Sequence, residues 1–343
     1  MIRKEMENMI KPSKSWKNKN EHYLLALESE WYRTLASIQN ELCFATYDFY
    51  RAKHMKTLFL PVTTNSISSP MGLGSDSLPV EIQLCGQKTY LADSMQFMLE
   101  YGCRYFENGC FYLMPSFRGE DADERHLCQF YHSEAEIIGN LESVIKLIED
   151  YIHFLCKALL SECATEIINI AGTDEHIKSV LSKTEFPRVT YDEAIEQLSD
   201  VKGALKIDKE NGFVYITSIG EKELIQKNNG IVWLINMDKA IVPFYQASQD
   251  SIHAKCADLL FGVGETVGCG ERHKTGEEVR KALLEHQVNE EPYSWYIQMK
   301  EKYPLQTAGF GMGTERFILW LLKQNDIRDC QLLPRFNGEI FIP

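Results

Sequence analysis

Apolar residues return at helical spacing through Tyr23, Leu24, Leu27, Trp31, Leu35, Ile38, Leu42 and Tyr47, which predicts a long helix near the start of the chain. Residues 1–20 before it are polar and basic and are expected to form a flexible arm, leaving 21–343 as the structured body. Short runs rich in β-branched and aromatic residues follow at 57–60, 80–84, 88–91 and 110–114, mostly bounded by Gly, Pro, Asn or Ser. They read as strands of one sheet. From about 133 to 160, Ile137, Leu141, Ile145, Ile148, Ile152 and Leu155 recur every three or four residues among Glu and Lys, which predicts a second long amphipathic helix. Residues 213–216, 231–235 and 257–263 supply further strands, and 316–322 reads as a helix entered from a glycine-rich strand. Strands come in runs rather than in βαβ alternation. The expected class is therefore α+β, with a mixed, mainly antiparallel sheet flanked by helices.

Composition narrows the function classes. A chain of 343 residues with 44% hydrophobic content can bury a large core. Its net charge of -13 argues against nucleic acid as a stable partner, because phosphate neutralisation by Lys and Arg dominates that affinity. The ten cysteines are scattered singly, with no metal-ligand spacing, secretory signal or 18-residue apolar run. These features lead us to expect reduced thiols in a cytoplasmic protein with no membrane contact.

Two distant blocks carry the chemistry. The first is Phe117-Arg118-Gly119-Glu120 with Arg125-His126 and Phe130; the second runs from Gly309 through Gly311 and Gly313 to Glu315-Arg316. A site that holds ATP while a carboxylate attacks its α-phosphorus must screen phosphate charge, hold Mg²⁺ and align the reactants. Arg118 and Arg316 can screen, since a guanidinium keeps its proton and offers a planar fork of donors. Phe130 can form one face of an adenine clamp. Singly, each feature has an ordinary structural explanation: an R-x-E is commonly a surface ion pair, and Gly-x-Gly-x-Gly also marks close backbone packing.

Together the blocks resemble motifs 2 and 3 of the class II aminoacyl-tRNA synthetases, aspartyl/asparaginyl subgroup. Tyr90-Leu91-Ala92-Asp93-Ser94, Phe186-Pro187-Arg188, Pro243-Phe244-Tyr245 and Gly270-Glu271-Arg272 extend the resemblance over about residues 35–340. It implies a mainly antiparallel sheet of six to seven strands, with ATP and Mg²⁺ as cofactors and a homodimer as the assembly. By this resemblance Arg118, Glu120, Arg125, His126, Phe130, Glu265 and Arg316 bind ATP. Arg118, Arg316 and Glu265 act in catalysis, Asp258 and Glu265 hold the metal, and Ser94, Gln96, Glu134 and Arg272 surround the substrate.

Some thirty residues precede the first catalytic helix, so no anticodon-binding OB module is expected there. The chain is similar to stand-alone paralogues of asparaginyl-tRNA synthetase such as the archaeal-type asparagine synthetase, notably at residues 69–81. At the position where aspartate users carry lysine stands Leu99, as in the asparaginyl enzymes. The expected activity is that of an AMP-forming, asparagine synthetase-like amide ligase. Its substrate is an Asp- or Asn-like side chain, as a small molecule or within a peptide, with ammonia as a candidate acceptor. Dehydration of an adenylated amide to a nitrile and charging of a tRNA are the alternatives.

Overall fold

A computed structural model describes residues 9–69, 77–209 and 212–342. In chain order, α1 (His22–Glu28) and α2 (Glu30–Ala52) lead into β1 (Lys56–Thr57), β2 (Thr63–Thr64), β3 (Val80–Leu84), β4 (Gln87–Leu91) and α3 (Gln96–Gly102). The hairpin β5 (Cys110–Phe117) and β6 (Gln129–Ile138) then precedes α4 (Leu141–Glu162), α5 (Ala164–Ala171) and α6 (Glu175–Leu181). After them come β7 (Arg188–Thr190), α7 (Tyr191–Leu198), β8 (Leu205–Ile207), β9 (Val214–Ile216) and α8 (Ser218–Lys227). The last stretch holds β10 (Ile231–Ile235), β11 (Cys256–Phe261), β12 (Gly264–Glu271), α9 (Gly276–Glu285), α10 (Ser294–Lys302), β13 (Thr307–Gly313) and α11 (Thr314–Leu321).

The main sheet has the order β1-β5-β6-β13-β12-β11-β10-β7. Its six central strands pair antiparallel, and the short edge strands β1 and β7 add in parallel. The α+β expectation holds, with eight strands rather than the six or seven that the resemblance implies; the run expected at 57–60 contributes only the two-residue edge β1, and the three-residue edge β7 is not among the expected strands. Residues 80–91 do not join this sheet as expected. They form a separate three-stranded sheet with β2, and β8 and β9 make a third, two-stranded one.

One face of the main sheet is covered by α2 and α4. Trp31, Leu35, Ile38 and Leu42 pack with Ile148, Tyr151, Ile152 and Leu155 against Ala135, Ala308, Phe310 and Met312 of the strands. The helix expected from 133 starts at Leu141, because β6 runs to Ile138 and Asn140 then caps α4 by accepting from the Ser143 amide at 3.0 Å. The expected first helix is broken at Ser29, whose backbone is extended, and Leu24 and Leu27 of α1 stay exposed.

Of the expected arm, residues 1–8 lie outside the described residues, and 9–20 are drawn onto the body by Trp16. Its indole is buried and donates to Asp329 Oδ1 at 2.7 Å, with Arg328 over the ring at 4.6 Å. Most of the resemblance noted at 69–81 also falls on undescribed residues, 70–76. Among the described residues no helix is long and apolar enough to cross a membrane.

Candidate active site

Strand β6 divides its side chains between two tasks. Ser133 faces the core, where Tyr151 donates to its hydroxyl at 2.9 Å, and Ala135 packs there too. Phe130, His132, Glu134 and Glu136 alternate onto the other face. On the neighbouring strand Gly313 stands opposite His132, Gly311 opposite Glu134 and Gly309 opposite Glu136. One strand further, Gly268 pairs with Gly311 and Gly270 with Gly309. A Cβ at Gly309 would overlap the Glu136 carboxylate, one at Gly270 would overlap Gln246, and one at Gly268 would lie 2.9 Å from Glu265 Oε1. The glycines form a bare floor on which charged side chains lie close to the sheet.

Beside this floor opens a cavity of about 440 Å³ lined by Arg118, Glu120, Arg125, His126, Phe130, Glu265 and Arg316, together with His132. The first seven are the residues assigned to ATP by resemblance, and the fold brings them all together. Several are incompletely satisfied: Arg118 Nε, Arg125 Nε and Glu120 Oε2 are buried with no hydrogen-bond partner among the described residues. Orphaned guanidinium donors are costly unless an anion meets them, so the donor set fits phosphate. Glu120 turns its other oxygen to the Leu78 amide at 3.1 Å. Arg316 Nη1 donates to the Glu265 carbonyl at 2.5 Å, and the Arg118 guanidinium lies 5.8 Å from the centre of the Phe130 ring. His126 is tied by Nδ1 to Asp123 Oδ1 at 2.9 Å.

Asp258 and Glu265 converge over Gly268, where a Cβ would be 3.5 Å from Asp258 Oδ1. Strands β11 and β12 are antiparallel neighbours, so their seven-residue separation becomes proximity. Burial pushes the Asp258 carboxyl well above its usual range, and repulsion from Glu265 and Glu221 adds to the effect. Among the described residues no group of three or more His, Cys, Asp or Glu is placed to hold a metal. Two carboxylates suit Mg²⁺, which takes much of its octahedral shell from water and phosphate oxygens.

The expected substrate group lies at the far end of the floor. Asp93 fixes its start by accepting from the amides of Ser68, Ser69 and Ser94 at 3.1, 2.7 and 3.0 Å. Ser94 Oγ donates to Glu134 Oε2 at 2.6 Å, the Tyr112 hydroxyl donates to the same oxygen, and Gln96 Nε2 is buried with no hydrogen-bond partner among the described residues. Arg272 is buried, and its charge is already answered. Its guanidinium donates to Glu136 at 3.2 Å and to Gln246 Oε1 at 3.1 Å, and lies 5.2 Å from the centre of the Tyr245 ring. A substrate carboxylate there would share the guanidinium with Glu136.

Sequence reasoning missed His132, Glu136 and Glu221. The first two were legible in the two-residue alternation from Phe130 to Glu136 facing Gly-x-Gly-x-Gly. Glu221 was not, since it arrives from α8 to meet Arg125 at 2.6 Å.

Comparison with known proteins agrees with this fold. The family model for class II tRNA synthetases (D, K and N) matches residues 16–337. A solved asparaginyl-tRNA synthetase from Pyrococcus horikoshii, complexed with asparaginyl-adenylate, superposes with a TM-score of 0.84 at 23% identity, covering 94% of this chain and 73% of that one. The asparaginyl-tRNA synthetase of Entamoeba histolytica gives 0.81 at 25% identity, covering 98% and 75%. The aspartyl tRNA synthetase of the same organism gives 0.74 at 22%, covering 93% and 62%.

Proposed function

We propose, from the premise that this chain belongs to the class II tRNA synthetases of the D, K and N type, that residues 21–343 work as an AMP-forming amide ligase on an Asp- or Asn-like side chain. The observation that carries the reading is the joint placement of Arg118, Arg125, Arg316 and Glu265 around one cavity, with Asp258 beside Glu265 over Gly268. A carboxylate oxygen bonds to the α-phosphorus of ATP, the bond to the bridging oxygen breaks, and pyrophosphate leaves. Arg118 and Arg316 stabilise charge on the α-phosphate, and Arg125 and His126 reach toward the outgoing phosphates. Phe130 and Arg316 hold adenine, whose amino group Glu120 Oε2 accepts. Mg²⁺ on Asp258 and Glu265 supplies further charge neutralisation when bound. In the second step an amine bonds to the acyl carbon and AMP departs.

The substrate end favours a side chain with few negative charges. Glu134 and Glu136 both face it, Arg272 is matched by Glu136, and Leu99 lies fully buried with Met95, Tyr112 and Met114. The buried Lys300 is likewise already matched, by Glu100, and position 99 itself offers no cation to a second carboxylate. The same arrangement accommodates a neutral amide, whose adenylation and loss of AMP gives a nitrile. The structural relatives are asparaginyl- and aspartyl-tRNA synthetases, which favours a tRNA acceptor instead. The test is to supply labelled aspartate or asparagine with ATP and either ammonia or total tRNA. We expect AMP with amide or nitrile in the ammonia arm; label carried chiefly on tRNA would displace the ligase reading.

A further inference from the structure

We infer that His132, oriented by Glu134, is the general base of the amide-forming step, taking the proton from the nitrogen that attacks the activated acyl carbon. The inference rests on the ligase reading above and adds the group that its second half requires. Adenylation of a carboxylate releases no proton, because the attacking oxygen is already ionised. Amide formation does release one. The N–C bond forms, the C–O bond to AMP breaks with its electron pair leaving on AMP, and one N–H proton must go to a base. None of the arginines can accept it, since a guanidinium keeps its proton.

The geometry around His132 is that of an oriented base. Its Nδ1 lies 2.9 Å from Glu134 Oε1 and 2.9 Å from Ser116 Oγ. Glu134 is buried, which would raise its pKa, yet hydrogen bonds from His132, Ser94 and Tyr112 hold the carboxyl below its usual range. An ionised carboxylate can only accept, so the neutral ring carries its hydrogen on Nδ1. The lone pair is then on Nε2, for which the described residues supply no partner. Glu134 itself cannot swing away, because Ser94 Oγ at 2.6 Å and the Tyr112 hydroxyl occupy Oε2 and leave Oε1 to the imidazole. Phe130 meets the ring edge-on at 4.7 Å and flanks it. A carboxylate that fixes the tautomer and orientation of a histidine whose other nitrogen is free is the arrangement by which proteins make a base.

Position points the same way. His132 lines the cavity that holds Arg118 and Arg316, while its partner Glu134 touches Ser94 of the substrate group. The dyad spans the junction between the phosphate end and the substrate end, where an acyl adenylate carries its reactive carbon. Opposite it stands Gly313, which places no side chain over the imidazole.

The test separates the two half-reactions in the full-length protein. His132→Asn keeps a donor near the Nδ1 position for Glu134 and removes Nε2. Pyrophosphate exchange into ATP with aspartate reads adenylation, and amide formed from aspartate and ammonium chloride reads the second step. Exchange by the variant should stay within about tenfold of the parent, while amide formation falls by a further factor of about 10² or more, the usual contribution of a positioned base. Retained exchange also reports that the variant is folded. Equal losses in both assays would make His132 a structural element of the pocket and overturn the inference, as would undiminished amide formation. Exchange by the parent without any amide from ammonium would overturn it too. Absence of exchange in the parent is the distinct result that removes the adenylation reading, and this inference with it.

Discussion

Arg125 and Glu221, 96 positions apart in the chain, meet in an ion pair of 2.6 Å at the mouth of the cavity. Gly264 makes the contact possible: with φ at +139° it is backbone that favours glycine, and a Cβ there would run into both side chains. The arginine we propose to reach toward the outgoing phosphates is therefore already answered by a carboxylate, and on that proposal a phosphate must compete for it. Glu221→Gln should lower KM for ATP about fivefold, since a partly buried pair of this kind is worth on the order of 1 kcal/mol. The KM for ATP in pyrophosphate exchange checks this. An unchanged or raised KM would show that Glu221 supports Arg125 rather than competing for it.

Asp258 gives a prediction in stability. Its folded carboxyl is pushed well above the ordinary range by burial, then by Glu265 and Glu221, so the folded protein binds that proton more tightly than the unfolded chain. The contribution is present below the unfolded carboxylate pKa and is lost as pH rises toward the folded one, so at neutral pH this carboxyl disfavours the folded state. Asp258→Asn should accordingly raise Tm at pH 7 in the absence of metal while abolishing turnover. Mg²⁺ with ATP should stabilise the parent and have much less effect on the variant, by thermal melting with and without both. A lower Tm for Asp258→Asn would contradict this.

Gly309→Ala probes the floor. The added methyl would collide with the Glu136 carboxylate and stand 2.6 Å from the Ala135 carbonyl, so Glu136 must move, and with it the Arg272 guanidinium that it holds. We expect a loss of about 1–3 kcal/mol of stability, as for other overpacked sites, and a raised KM for the amino acid substrate. Urea denaturation and substrate titration measure the two effects. A change confined to KM for ATP would place the lesion elsewhere.

These predictions use features that were unequally legible in the sequence. Strands β3 and β10 were readable to the residue, because each is a short apolar or alternating run stopped by turn residues. The start of α4 was misplaced, since Ile137 fits a helical period with Leu141 as well as it fits the alternation of β6. The ATP group was legible because its residues lie in two compact blocks. Arg272 was identified, but not its pairing, since Glu136 is 136 positions away and only the β6–β13–β12 register brings them together. Glu221 carries no local signal at all.

Assembly is a further expectation. Leu35, Ile38 and Phe49 of α2 are consumed by the core, whereas Phe44 on the same helix is 61% exposed and Phe59 99% exposed. We expect this surface to be covered by a second copy. Light scattering should give twice the chain mass of 39.5 kDa at micromolar concentration, and Phe44→Glu should shift it toward monomer. A parent that remains monomeric would count against the dimer.

The central claim is that this cavity directs attack to the α-phosphorus of ATP, and the nucleotide product tests it most directly. With aspartate or asparagine and ammonium present, the parent protein should convert ATP to AMP and pyrophosphate, and Arg118→Ala should slow this by a factor of about 10² to 10³, the cost of removing one preorganised donor. Accumulation of ADP and phosphate with substrate turnover would contradict the account.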